Sequence, residues 1–196
     1  QCLNAISNIK NVAFLKGNAK FALGIVTGNN KAYISTEKRD GTEIILKGSD
    51  IQRYGITPSG NYIRFVPESF QQVAPVEMYR AKEKLLYRFI SEVPVFTYDN
   101  QQTLSLNSCN IVIPNIDGLE MKYILAILNS SVTAYFISKR FNSVKLLRSH
   151  IEQMPIPVVP IDVQASIIKK VDRIMNSSEN ISGLYEDLDA DIMALY

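Results

Sequence analysis

Residues 150–170 read HIEQMPIPVVPIDVQASIIKK, with Pro155, Pro157 and Pro160 in quick succession and a helical pattern directly after them. Proline lacks the amide donor and its ring clashes with the preceding turn, so none of the three sits inside a helix. Each also pushes the residue before it into an extended conformation. MPIPVVP is therefore a stiff, extended connector that sets the direction in which the next helix leaves. It marks a joint, and the sequence is expected to divide into a domain over 1–154, a proline joint over 155–160 and a helical arm over 161–196.

The two sides of the joint differ in charge. Residues 1–150 carry 18 Lys and Arg against 11 Asp and Glu, a net +7, whereas residues 151–196 carry 3 against 8, a net −5. A basic domain points to a polyanionic partner. An acidic arm repels phosphates and suits contact with protein. In the arm, Ile167, Val171, Ile174, Ser178, Ile181, Tyr185, Leu188, Ile192 and Leu195 alternate steps of four and three, a heptad seam broken by Ser178 and weakened by Gly183. Such a seam fits a helix packed on its own domain or a coiled-coil arm packed on another helix. Its strictness, after a rigid joint, favours the arm. A bend near Asn176–Gly183 is expected to split it into two helices.

The chain has 196 residues, 46% of them apolar, enough for a real core. No apolar run approaches the roughly 18 residues of a membrane span, and no secretory signal is visible. The first residue is Gln1, and the chain is expected to be a piece of a longer protein. Cys2 and Cys109 are too few for a disulfide scaffold or a zinc site and are expected to be free thiols in a reducing cytosol. His150 is the only histidine, which excludes a His-rich metal site. Its place before Ile151 in a short helix favours capping or packing over catalysis. GIVTG (24–28) lacks the lysine and hydroxyl of a phosphate loop, and CxxC, HExxH and GxSxG are absent. No catalytic constellation or cofactor site is expected in this chain.

FALGIVTGNNKAYIS (21–35) predicts a β-hairpin around TGNN. EIILKGSDIQRY (43–54) predicts a strand, a turn at Lys47-Gly48 and a short helical turn capped by Ser49 or Asp50. Further strands are expected over 61–67, 83–90, 93–99 and 109–114, with helix the alternative for 84–90 on propensity alone. Met121, Ile124, Leu125, Leu128, Val132, Tyr135 and Phe136 then recur at helical spacing, giving one or two helices over 119–141 with Asn129-Ser130-Ser131 as the break. NSVKLLRSHIEQM (142–154) predicts a brief strand and a short helix. The fold class is α+β: a mixed or antiparallel β-rich domain with helices at 119–141, then a C-terminal helical spacer arm.

Five stretches, in order, resemble one family. FALGIVTGNNKAYI (21–34) resembles the opening of the target recognition domain of TaqI-like and type IIG adenine-specific DNA methyltransferases. LKGSDIQRY (46–54) is similar to its LKGxDIxRY segment, and EKLLYRFISEVPVFTYDNQQTLSLNSCNIVIP (83–114) to its central strands. YILAILNSSVTAYF (123–136) resembles the helix with LLxxLNS. LLRSHIEQMPIPVVPIDVQASIIKKVDRI (146–174) resembles the domain's end, where a leucine-rich turn leads through PIP to a Gln and a helix, as in type I restriction specificity subunits. The methyltransferase signature Asn/Asp-Pro-Pro-Tyr/Phe is absent.

The resemblance implies a cytoplasmic module that recognises a sequence in double-stranded DNA and carries no catalysis itself. It implies a parent DNA adenine-N6 methyltransferase, with or without endonuclease activity, using S-adenosylmethionine, and Mg if a nuclease is present. One alternative is half of a type I specificity subunit. Another is a protein-interaction domain whose helical arm dimerises without binding DNA. The arm 161–196 is expected to cover a helix of the catalytic domain or of a second recognition domain. In isolation it folds back on the helices at 119–141 or self-associates.

Basic side chains supply phosphate contacts. The candidates are Lys31, Arg53, Arg64, Lys82, Lys84, Arg88, Lys139, Arg140, Lys145 and Arg148. Arg pairs with guanine and Asn or Gln with adenine in the major groove. The base-reading candidates are Arg53, Arg64, Arg80 and Arg88, with Asn29, Asn30, Gln101, Gln102 and Asn107 in expected loops.

Overall fold

The computed structural model describes residues 1–178 and 181–196. In chain order the elements are α1 (Cys2–Ser7), β1 (Val12–Ala13), β2 (Ala19–Ala22), α2 (Asn30–Tyr33), β3 (Ile34–Ser35), β4 (Glu43–Leu46), β5 (Ile51–Gln52), β6 (Gly55–Ile56), β7 (Tyr62–Ile63), α3 (Val76–Tyr79), β8 (Lys84–Arg88), β9 (Phe96–Asp99), β10 (Leu104–Ser105), β11 (Cys109–Pro114), α4 (Met121–Asn129), α5 (Ser131–Phe141), α6 (Arg148–Glu152), β12 (Ile156–Pro157), α7 (Ile161–Met175) and α8 (Ser182–Met193). They form two compact units. One is helical and comprises Gln1–Lys20, Ser91–Val95 and Pro114–Tyr196; the other is β-rich and comprises Phe21–Ile90 and Phe96–Ile113. The α+β class holds. The proline stretch does not divide these units, because the seam that follows it has its partner helices close by.

In the β-rich unit, β8 pairs antiparallel with β9 (Lys84↔Asp99, Leu86↔Thr97) and β11 (Leu86↔Ile111). Leu85, Leu86, Ile111 and Val112 are wholly buried, as suits near-continuous apolar strands covered on both faces. A second sheet has the order β10-β4-β7-β3, with β10 parallel to β4. The expected hairpin over 21–35 does not form. Ile25 bridges Leu106 and Val26 bridges Gln72, while residues 30–33 make a helical turn. The Thr27 hydroxyl donates to Asn30 Oδ1 at 2.5 Å and accepts from the Asn29 amide at 3.1 Å. This local side-chain bonding competes successfully with a hairpin ladder. Gly24 lets two segments touch, since a Cβ there would lie 2.0 Å from the Leu106 carbonyl oxygen. The strand expected at 61–67 shortens to β7, and Pro67 opens a 3₁₀ turn instead. After β4 a 3₁₀ turn does form, over Gly48–Asp50, but its N-cap is Lys47; Asp50, the third residue of the turn, reaches back so that its carboxylate accepts from the Lys47 amide at 3.0 Å.

In the helical unit, the break at Ser130 separates α4 from α5. The Ser130 hydroxyl accepts from the Thr133 amide at 3.2 Å as an N-cap, and Asn142 in the left-handed region (φ 46°) ends α5. The strand expected before α6 is reduced to a single bridged residue, Lys145. The connector is extended, as its prolines require: β12 pairs with β1 through Val12↔Pro157 and Ala13↔Ile156. The Tyr123 hydroxyl donates to the Pro157 carbonyl at 2.7 Å and that of Tyr196 to the Pro155 carbonyl at 2.6 Å.

The seam is split as expected: α7 ends at Met175 and α8 begins at Ser182, with residues 179 and 180 of the expected bend outside the described residues. It forms no free arm and folds back on the helices at 119–141, one of the two outcomes expected for the chain in isolation. Ile167, Val171, Ile174, Leu188 and Ile192 are buried where α7 and α8 pack on α4 and α5. Gln164 is wholly buried and fully used. Its Oε1 accepts from the Glu120 amide at 2.9 Å, and its Nε2 donates to the carbonyls of Gly118 (2.7 Å) and Val159 (3.0 Å). Four acidic residues of the tail are also engaged. Asp172 pairs with Lys122, Asp187 and Asp191 with Lys170, and Asp189 accepts from the Ser131 amide and hydroxyl.

Replacing Ile174 and Leu188 together with aspartate is expected to cost more than about 4–5 kcal/mol, because each buries an unpaired carboxylate. Urea unfolding followed by circular dichroism measures this; a fully folded double variant that merely changed its sedimentation would show a detached arm. His150 both caps and packs: its Nδ1 accepts from the Leu147 amide at 3.2 Å and its ring stacks on Phe141 at 4.1 Å. Desolvation holds its pKa below the ordinary 6.5, partly offset by a backbone hydrogen bond with Lys145. The neutral ring's contribution is therefore complete above pH 6.5 and lost as pH falls through the lowered value. Stability measured between about pH 7.5 and 5 should fall more steeply for the native chain than for His150→Gln.

Candidate nucleic-acid interface

Three cations from the sequence-derived set are structural. Lys84 was a phosphate candidate, yet its side chain is fully buried. Its ammonium donates to Asp99 Oδ2 at 2.9 Å and to the carbonyls of Tyr79 (2.6 Å) and Thr103 (2.9 Å). Desolvation lowers its pKa, and Asp99 opposes that shift. Lys84 is corrected from a DNA contact to an internal tie. Arg88 spends its guanidinium on the carbonyls of Gly48 and Ile51, at 2.6–3.0 Å. Arg80, a base-reading candidate, forks onto Glu43 at 2.7 and 2.8 Å, donates to the Gln102 carbonyl at 2.9 Å and lies over the Phe65 ring. Both are corrected likewise: their donors are directed at the protein, not at a ligand.

The other candidates of the β-rich unit stand at its surface. Lys31 is exposed on α2 and Lys82 lies just before β8, also exposed. Arg53 is exposed at the tip of the β5–β6 hairpin, beside Tyr54 at φ 67°. Arg64 follows β7, and its guanidinium donates to the Asp40 carbonyl at 2.7 Å. Gly41 makes room for that contact: it sits at φ 74°, and a Cβ there would come within 2.4 Å of the Arg64 guanidinium. Arg64 thus anchors the turn 37–41, on which Lys38 and Arg39 are exposed. The sequence reading missed both, although EKRDG is a turn signature with cations at its tip.

Asn29, Asn30, Gln101, Gln102 and Asn107 are all exposed. Asn30 gives its Oδ1 to Thr27. Gln101 and Gln102 lie on the turn between β9 and β10, where Gln102 has φ 55°. The base-reading candidates therefore all belong to the β-rich unit, whereas Lys139, Arg140, Lys145 and Arg148 belong to the helical one. There Arg140 lies over Phe136 and Phe141, Arg148 pairs with Glu152, and Lys139 and Lys145 are exposed. The units carry 10 Lys and Arg against 8 Asp and Glu (β-rich) and 11 against 11 (helical). The +7/−5 contrast along the sequence is thus not a contrast between compact units.

The chain thus combines a β-rich unit that exposes cations and amides on its turns with a helical unit. Residues 43–156 match the TaqI-like C-terminal specificity domain, more than half of the chain, and the chain belongs to that family. A stretch of 41 residues is 54% identical to the type II methyltransferase M.VspI of Vibrio sp. (strain 343), covering 21% of this chain and 10% of that protein. The fold resembles that of the HsdS subunit from Thermoanaerobacter tengcongensis (TM-score 0.57, 14% identity, 100% of this chain and 49% of that one). It also resembles a chain from a study of type I R-M assembly and conformational transition (0.58, 14%, 95% and 43%). A third likeness is to the type IIL restriction–modification enzyme MmeI in complex with DNA (0.56, 9%, 90% and 32%). This chain spans a tenth of the methyltransferase and less than half of each of these solved chains. The role that the family match gives this chain is that of a specificity domain.

Lys84→Ala leaves Asp99 buried without its counter-charge and is expected to cost about 3–5 kcal/mol, read from denaturant unfolding. Lys82→Ala, at an exposed neighbour, is expected to stay within about 0.5 kcal/mol of the native chain.

Proposed function

We propose that this chain selects the double-stranded DNA sequence on which an adenine-N6 methyltransferase acts. In this reading the exposed turns of the β-rich unit face the duplex and the helical unit docks on protein. The family match over 43–156 carries the reading. Among the exposed cations, Lys31, Arg53, Arg64, Lys82, Lys139, Arg140, Lys145 and Arg148 are the phosphate contacts of this proposal, and Lys38 and Arg39 join them. Local identity to a type II methyltransferase supports a parent enzyme that uses S-adenosylmethionine; Mg belongs to it only if a nuclease is present. The enzyme would act in the cytoplasm. No helix among the described residues is long and apolar enough to cross a membrane.

A second reading is half of a type I specificity subunit, whose methyltransferase is a separate chain. It is favoured by the HsdS likeness, which takes in all of this chain and 49% of that subunit. In both readings the protein docks through helices and binds DNA through charge. If six cations meet phosphates, the slope of log affinity against log salt is about −5. Fluorescence anisotropy of a labelled duplex over about 50–200 mM salt measures it. A flat response would remove both readings and leave a protein-interaction domain.

A further inference from the structure

The turn between β9 and β10 is held more firmly than a surface turn requires. Asn100, Gln101 and Gln102 project three consecutive exposed amides. Beneath them, Asp99 accepts from the Gln101 amide (3.2 Å), the Thr103 amide (3.0 Å), the Thr103 hydroxyl (2.9 Å) and the Lys84 ammonium (2.9 Å). Lys84 also takes the Thr103 carbonyl, and Arg80 takes that of Gln102. Gln102 has φ 55°, a left-handed conformation that a non-glycine residue keeps only when its surroundings over-determine it. Backbone held this way from below is a rigid platform, and strain of this kind concentrates where a protein binds.

We propose that residues 100–102 form a preorganised adenine-reading turn, with Arg80, Lys84, Asp99 and Thr103 as its positioning residues. The inference rests on the DNA-recognition reading given above. The chemistry points to a base edge and away from phosphate, because both nearby cations are turned into the protein and the exposed side chains are neutral. Gln101 Nε2 donates one hydrogen to Asn100 Oδ1 at 2.9 Å. Its second N–H and its Oε1 keep no protein partner among the described residues. One donor and one acceptor on a planar amide match adenine N7 and N6 in the major groove. Bracing from below fixes the amide before binding, which reduces the ordering cost of the contact.

Selection of the intact protein on a randomised duplex library tests this. The native protein should enrich a motif containing an A·T pair. Gln101→Ala with Gln102→Gly, glycine being free to adopt positive φ, should reduce discrimination at one or two of its positions by roughly 5- to 150-fold. Thr103→Val, which removes a hydroxyl bond to Asp99, should relax the same positions, and Thr103→Ser should restore them. A motif unchanged in the Gln101/Gln102 variant overturns the adenine-reading turn. A Thr103→Val variant that only melts at lower temperature, with the motif intact, overturns the positioning roles. Failure of the native protein to enrich any motif, with salt-independent binding, instead removes the DNA-recognition reading itself.

Discussion

Lys84 and Asp99 face each other across the β8–β9 ladder, with both side chains out of water. A buried ammonium is tolerable only when each of its three donors has an acceptor. Here the acceptors are Asp99 and the carbonyls of Tyr79 and Thr103. The pair therefore ties the end of α3, the start of β8, the end of β9 and the turn that follows into one cluster. Compared with an apolar pair of equal volume it adds little net stability. Its effect is geometric, since a misplaced strand would leave a charge unpaired. Arg80 extends the tie by joining that turn to Glu43 on β4.

The helical unit depends on a different constraint, the covering of the seam on α7 and α8. A side chain such as Ile167 or Ile192 contributes roughly 1.5–3 kcal/mol when removed from water, so the seam closes on whatever apolar surface is nearest. That surface is α4 and α5, and Gln164 sets the approach through two hydrogen bonds at the start of α4, with the Glu120 amide and the Gly118 carbonyl, and a third to the Val159 carbonyl just before α7. Asp172, Asp187, Asp189 and Asp191 then find partners inside the same unit, with Lys122, Lys170 and the first turn of α5. A charge contrast that looks like two bodies along the sequence becomes a set of local pairs.

Recognition of DNA divides between contacts that hold the backbone and contacts that read base edges, and arginine can serve either. The candidate list shortened because the fold itself uses some of those cations. Arginines such as Arg80 and Arg88 fit carbonyl and carboxylate acceptors so well that the fold uses them internally. Exposed lysines, more strongly hydrated, stay at the surface and are suited to phosphate. The amides on the turns have no such internal demand beyond their immediate neighbours.

Much was legible without coordinates. The three prolines dictated an extended connector, helical periodicity placed the helices around Ser130, Asn176–Gly183 marked the split in the tail, and continuous apolar runs marked β8 and β11. These are local signals, set by backbone sterics and by the period of buried positions. The hairpin at 21–35 misled because Thr27 and Asn30 bond to each other, a choice that short polar residues make in competition with a ladder. A heptad records that a helix needs an apolar partner and is silent about which one; of the partners expected for the seam, the helices at 119–141 are the ones it meets. Composition determined that this chain carries cations enough for a polyanion. Only the tertiary structure decided which cations face water, because the acceptors that withdraw Lys84, Arg80 and Arg88 come from distant positions such as Asp99, Glu43 and Ile51, and burial turns a charge from a ligand contact into a structural tie.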